Sequence, residues 1–148
     1  MIGKLASSVG KGLFAGLAGT AIMTVSSTIE MKLQGREAST APSDAAGKVL
    51  GVQPRNPEGK KRFSNVVHWG YGTTWGALRG LIGAAGFSGP TATAIHFASV
   101  WGSALVMLPV LVDAPPVTEQ PPSATAIDAG HHLVYAAVTN VVYELLDR

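Results

Sequence analysis

The sequence predicts an all-α integral membrane protein: a bundle of four transmembrane helices with a short interfacial helix in the first loop. Three observations predict it. Four apolar stretches, at about residues 12–31, 64–87, 91–112 and 125–146, each hold roughly 20 residues with few charges, enough to cross a bilayer as a helix. The composition is 47% hydrophobic and 14% charged, against about 25% charged in soluble domains. Seven of the eleven Lys and Arg residues lie between the first and second stretches, the segregation expected of a cytoplasmic loop. Four spans and their connections use nearly all of the 148 residues, so residues 1–148 are read as one transmembrane domain.

The first span follows Lys4 and Lys11 and runs through Leu13–Val25. A basic lead before an apolar run has the form of a secretory signal, but Met1 to Lys11 and this run are expected to remain as an uncleaved helix. Gly12, Gly16 and Gly19, with Ala15 and Ala18, put small residues on successive turns, which lets another helix approach closely. The next thirty or so residues hold Lys32, Arg36, Lys48, Arg55, Lys60, Lys61 and Arg62. Within them, Ser43 or Asp44 is expected to cap a short interfacial helix over Ala45–Leu50 that stops near Gly51. Pro54 and Pro57 are expected to interrupt regular structure before Lys60-Lys61-Arg62, which anchors the second span at anionic headgroups.

The second span carries Gly72, Gly76, Gly80 and Gly83, a smooth face for close helix contact. A short turn at Ser88–Pro90 leads to the third span. The connection from Asp113 to Ser123 contains Pro115, Pro116, Pro121 and Pro122 and no Lys or Arg, and is expected to be extended and stiff. Helices that alternate in direction across a membrane place both termini opposite the basic loop.

Lipid penalises exposed ionisable groups, so those inside spans are the candidate functional residues. On the basic-loop side, Glu30 closes the first helix, while His68 and Tyr71 lie about 6 and 10 Å into the second. Asp128 lies about 5 Å, and His131 and His132 about 10 Å, into the fourth. Glu30, His68, Tyr71, Asp128 and His132 therefore form a first expected polar cluster. Arg79, His96 and Glu144 form a second, nearer the other face, with an Arg79–Glu144 ion pair and His96 as a neutral partner. Polar faces at helical spacing continue both: Thr20, Thr24 and Ser27; His96, Ser99 and Ser103; Asp128, His132, Tyr135 and Thr139.

The chain has no cysteine, which excludes disulfides and thiolate ligands. Two imidazoles and two carboxylates offer nitrogen and oxygen ligands for a metal. Asp128-x-x-His131 resembles half of a di-iron motif, but Asn65-x-x-His68 lacks the second carboxylate. A histidine can also serve as the axial ligand of haem or a chlorophyll-type pigment, and no motif selects among these. There is no nucleophile elbow, phosphate loop or paired-His zinc helix, so no enzyme is expected. Nor is a nucleic-acid partner expected, because the basic loop has no accompanying aromatic motif.

Gly16-Leu-Ala-Gly19 with Glu30, then Gly35-Arg36 with Thr40 and Pro42, then His68-x-x-Tyr71-Gly72 with Gly76, resembles the YagU-like family of small bacterial inner-membrane proteins. His132, Tyr135 and Glu144 extend the likeness more loosely, and Arg79 departs from the apolar or aromatic residue expected there. The resemblance implies a compact multi-span protein of the bacterial inner membrane, with no assigned reaction and an association with acid tolerance. The expected function is a non-enzymatic bundle that conducts protons or cations, or stabilises the membrane, through its buried His and carboxylate clusters. Its partners are the lipid bilayer and either further copies of itself or a larger membrane complex. The alternative is an accessory subunit of a respiratory or photosynthetic complex, with Trp69, Trp75 and Trp101 and the glycine faces against neighbouring subunits, lipids or pigments.

Overall fold

A computed structural model describes residues 2–52, 54–112 and 114–148. Met1 of the basic lead and Asp113 at the start of the third connection lie outside the described residues. The described chain is all-helical: α1 Ile2–Gln34, α2 Ala41–Leu50, α3 Pro57–Ala84, α4 Gly89–Val112 and α5 Pro122–Leu146, with one 3-10 turn at Val117–Glu119. Two of these, α1 and α4, are long and apolar enough to cross a membrane. The other two long helices, α3 and α5, carry Arg79, Asn140 and Glu144 within them.

Helix α1 is the centre of the bundle, flanked by α3 and α5, while α4 packs mainly on α5 and the short α2 sits against α3 and α4. Contacts along α1 fix the directions. Its Gly12 faces Gly80 and its Gly16 faces Gly76, whereas Thr24 farther along bonds His68, so α3 runs antiparallel to α1. Likewise Lys11 meets Asp147, and Ser26 meets His131, so α5 is antiparallel to α1 as well.

Glycine makes the α1–α3 contact possible. A Cβ built on Gly76 would lie 2.6 Å from the Gly16 Cα, and one on Gly16 would lie 2.7 Å from the Gly76 Cα. These are backbone atoms with no side-chain freedom to yield, so the two helices touch main chain to main chain. The same logic admits bulk elsewhere, where Gly83 leaves the space that the Tyr143 ring fills.

The interior is small and polar. Ala15, Thr20, Arg79, Ala92, His96, Tyr135, Ala136, Thr139 and Tyr143 are almost completely buried. Ile82 and Val100 are buried with them, but many large apolar residues lie outside, among them Phe14, Ile22, Val25, Val66, Val106 and Val110.

The ends of the helices differ from expectation for local reasons. Helix α2 begins at Ala41, ahead of Ser43 and Asp44, because Pro42 is tolerated in a first turn. Ser43 donates to the Thr40 carbonyl at 2.8 Å rather than capping, and Thr40 donates to Asp44 at 2.8 Å. The stop at Gly51 is as expected, in the left-handed region at φ 66°. Pro57 starts α3 instead of interrupting structure: Asn56 caps the helix by accepting from the Gly59 N–H at 2.7 Å, and proline's fixed φ suits the first position. In the Pro-rich connection a 3-10 turn forms at Val117–Glu119, and α5 begins at Pro122.

Candidate functional site

Helical spacing puts Thr20, Thr24 and Glu30 of α1 toward its neighbours, and the antiparallel α3 and α5 bring their own polar groups to matching levels. The result is a string of polar contacts along the bundle. At the basic-loop end, the Glu30 carboxylate takes a two-pronged contact from Arg36, with Nε donating to Oε1 at 2.8 Å and Nη2 meeting Oε2. His131 Nε2 stands 3.5 Å from the same Oε2, and its Nδ1 is 2.9 Å from Ser26 Oγ. Glu30 in turn raises the Arg36 guanidinium above its ordinary range through this hydrogen bonding and its charge, and Asp128 adds to the effect.

One level deeper, His68 Nε2 lies 2.8 Å from Thr24 Oγ1. The Thr24 hydroxyl proton goes to the Thr20 carbonyl at 2.7 Å, so the imidazole is the donor in the His68 contact. At mid-bundle the buried Tyr135 hydroxyl donates to the Gly72 carbonyl at 2.6 Å. His96 is fully buried beside Tyr135, with ring centroids 5.5 Å apart, and its Nε2 is 3.1 Å from the Trp75 carbonyl. A carbonyl can only accept, so Nε2 carries the proton and neutral His96 presents a bare lone pair at Nδ1.

The far end is built around Arg79, whose side chain is 1% exposed. Its Nε donates to Asn140 Oδ1 at 2.8 Å, Nη2 lies 3.5 Å from Glu144 Oε1, and the guanidinium carbon is 4.2 Å from the Tyr143 ring centroid. Carboxylate, amide and π-face together compensate a charge that would otherwise be very costly to bury. The Gly89 N–H at the start of α4 donates to the same Glu144 oxygen at 2.6 Å. Glu144 is partly exposed and lines an open groove of about 520 Å³ between α4 and α5, walled by Pro90, Phe97, Leu133 and Val141. Lys11 and Asp147 pair at 2.8 Å beyond it.

Among the described residues, buried polar atoms along this string without a hydrogen-bond partner are Arg79 Nη1, His96 Nδ1, His131 Nε2, Thr139 Oγ1 and Tyr143 Oη. Buried polar groups are nearly always paired with protein or ordered water.

The expected second cluster forms in part. Arg79 and Glu144 stand together, whereas His96 turns to the Trp75 carbonyl. The first cluster is distributed rather than gathered. Glu30 meets Arg36 and His131, His68 meets Thr24, and Tyr71 stacks edge-on with Trp75 at 5.9 Å. Asp128 accepts from Trp101 Nε1 at 2.9 Å, and His132 bonds the Asp128 carbonyl at 2.9 Å on the same helix. Adjacent histidines on a helix point about 100° apart; both are largely covered, and it is His131 that reaches α1. Asn140 and Tyr143 were not among the expected residues, although Tyr143 continues the Asp128, His132, Tyr135, Thr139 stripe by one more turn.

Each of the four histidines has one ring nitrogen on a protein oxygen. Among the described residues, no three His, Asp or Glu side chains stand together as a metal-ligand set. No family model, curated protein or solved structure matches the chain.

Proposed function

We propose that α1, α3, α4 and α5 cross a membrane as a four-helix bundle with α2 at the interface, and that the polar string between them carries protons. The distribution of residues supports the first part. Many large apolar side chains lie on the outside, while polar and charged groups stand among small and aromatic residues inside, an arrangement that lipid favours. The helices have 33, 28, 24 and 25 residues, and even the shortest spans about 36 Å against a hydrocarbon core of about 30 Å. The basic segment between α1 and α3 then faces the cytoplasm. The resemblance to YagU-like inner-membrane proteins, with their association with acid tolerance, points to the same compartment.

The observation that carries the proton reading is the sequence of protonatable groups at successive depths, with unpartnered buried atoms beside them. Glu30 and His131, then His68 with Thr24, then Tyr135 and His96, then Arg79 with Glu144, mark a route from the basic loop to the α4–α5 groove. Protons can pass between such groups through intervening waters. Larger cations would need an open lumen where α1 and α3 touch main chain to main chain. Glu144 has a specific task here, since without it the Arg79 charge would stand as a barrier to any positive species.

The test is proton uptake by liposomes containing the purified chain under an imposed membrane potential. Wild-type protein is expected to conduct. His68→Ala and His96→Ala are each expected to reduce the rate about tenfold, the effect of a barrier raised by about 1.4 kcal/mol. Thr74→Ala, on the exposed side of α3, is expected to leave the rate unchanged. Equal rates in wild type and both histidine variants would contradict the reading.

A second reading rests on α4. Its outer face, with Val106 and Val110 about 70% exposed, is left uncovered by the described residues, which suits a subunit of a larger membrane assembly. That reading predicts larger proteins co-purifying in mild detergent.

A further inference from the structure

The chain leaves α1 through a turn that folds Arg36 back over the helix end. Gly35 adopts φ 65°, and the Arg36 N–H bonds the Met31 carbonyl at 3.1 Å. That is the pattern in which a left-handed residue reverses the chain after a helix. The reversal aims the guanidinium at Glu30, a residue of the preceding turns, and gives the two-pronged contact described above. Residues 35–40 then form a strap between this contact and α2. The strap lies outside the bundle, with the Arg36 side chain 42% exposed, while Glu30 beneath it is 14% exposed.

The groups facing this contact come from two helices. Glu30 belongs to α1. From α5, His131 approaches the carboxylate, and Asp128 acts on Arg36 through its charge and is itself in contact with His132. His131 Nε2 is buried, unpartnered, and 3.5 Å from Glu30 Oε2. It is thus placed to take a proton inward from Glu30.

We propose that Arg36 is a latch on the loop-side mouth of the polar string, closed while Glu30 is ionised and released when Glu30 takes a proton. The proposal rests on the proton-pathway reading and adds its regulation. A proton arriving from the loop-side water adds to the Glu30 carboxylate, giving a neutral acid. The guanidinium keeps its own proton, loses its counter-charge and moves to solvent with the strap. Glu30 then passes the proton to His131 Nε2, bare in the tautomer whose Nδ1–H donates to Ser26 Oγ; His131 becomes an imidazolium, and the regenerated carboxylate recaptures Arg36. No atoms beyond the one proton are gained or lost.

The experiment uses the full chain in liposomes, with two readouts. The first is modification of Glu30 by a membrane-soluble carbodiimide, which reacts with protonated carboxyls, measured by mass spectrometry relative to Glu144. The second is proton flux. In Arg36→Gln the Glu30 to Glu144 modification ratio is expected to rise severalfold, flux to increase, and its dependence on loop-side pH to flatten. Arg36→Lys, a single-pointed cation, is expected to fall between wild type and Arg36→Gln. A rise in modification at both carboxyls together would indicate general loosening and overturn the latch, as would an unchanged ratio. A raised Glu30 ratio with no flux in any protein would support the latch over Glu30 while overturning the proton pathway.

Discussion

Arg79 concentrates the energetics of the interior in one side chain. Its charge is buried and compensated by Asn140, Glu144 and the Tyr143 ring, and each partner is open to substitution. Asn140→Ala removes the acceptor from a buried charged donor, and should cost about 1.5–3 kcal/mol. Unfolding in detergent mixtures titrated with a denaturing detergent measures this. The Lys11–Asp147 pair makes a useful contrast, since both side chains are partly exposed. Asp147→Asn should change stability by less than about 1 kcal/mol in the same assay. The residues of the string were only partly legible in the sequence. Glu30, His68, Arg79, His96 and Glu144 stand out as ionisable groups within apolar stretches. Asn140 and Tyr143 do not, because their importance comes from Arg79, a residue on another helix.

Two helix contacts make the element-scale argument. Where α1 meets α3, Gly12, Gly16, Gly76 and Gly80 allow main-chain contact, and the glycine spacing announced that face in the sequence. Gly76→Val sets a branched side chain against the Gly16 backbone and should destabilise by about 3 kcal/mol or more, at the upper end of overpacking effects. Thermal unfolding in detergent reads the change, and a Val tolerated without loss would show that the helices do not meet there. At the end of α1 the left-handed Gly35 aims Arg36. Gly35→Ala should cost about 1–2 kcal/mol of local strain and raise Glu30 modification as Arg36→Gln does. Helix limits were less legible than helix faces. Pro57 reads as a breaker until Asn56 is seen capping the first turn, and Pro42 likewise sits inside a first turn. The same residue type opens a helix or interrupts one according to the capping group beside it.

For the whole molecule, the decisive feature is agreement between direction and depth. Because α3 and α5 both run antiparallel to α1, residues far apart in sequence meet in order, from Glu30 with His131 at one end to Arg79 with Glu144 near the other. Counting depth along alternating helices predicts this order. It does not predict which of two adjacent histidines reaches α1, or that Glu30 is claimed by a loop arginine, since helix rotation and loop path arise from packing. The proposed crossing of a membrane by all four long helices underlies every functional statement made above. The absence of native cysteine makes it directly measurable. Single cysteines at Lys61 and Ser88, one at each end of α3, are treated in intact cells or sealed vesicles with a maleimide that cannot cross membranes. The account predicts labelling of Ser88→Cys from the outside, and of Lys61→Cys only after the membrane is opened. Labelling of both from the same side would contradict it.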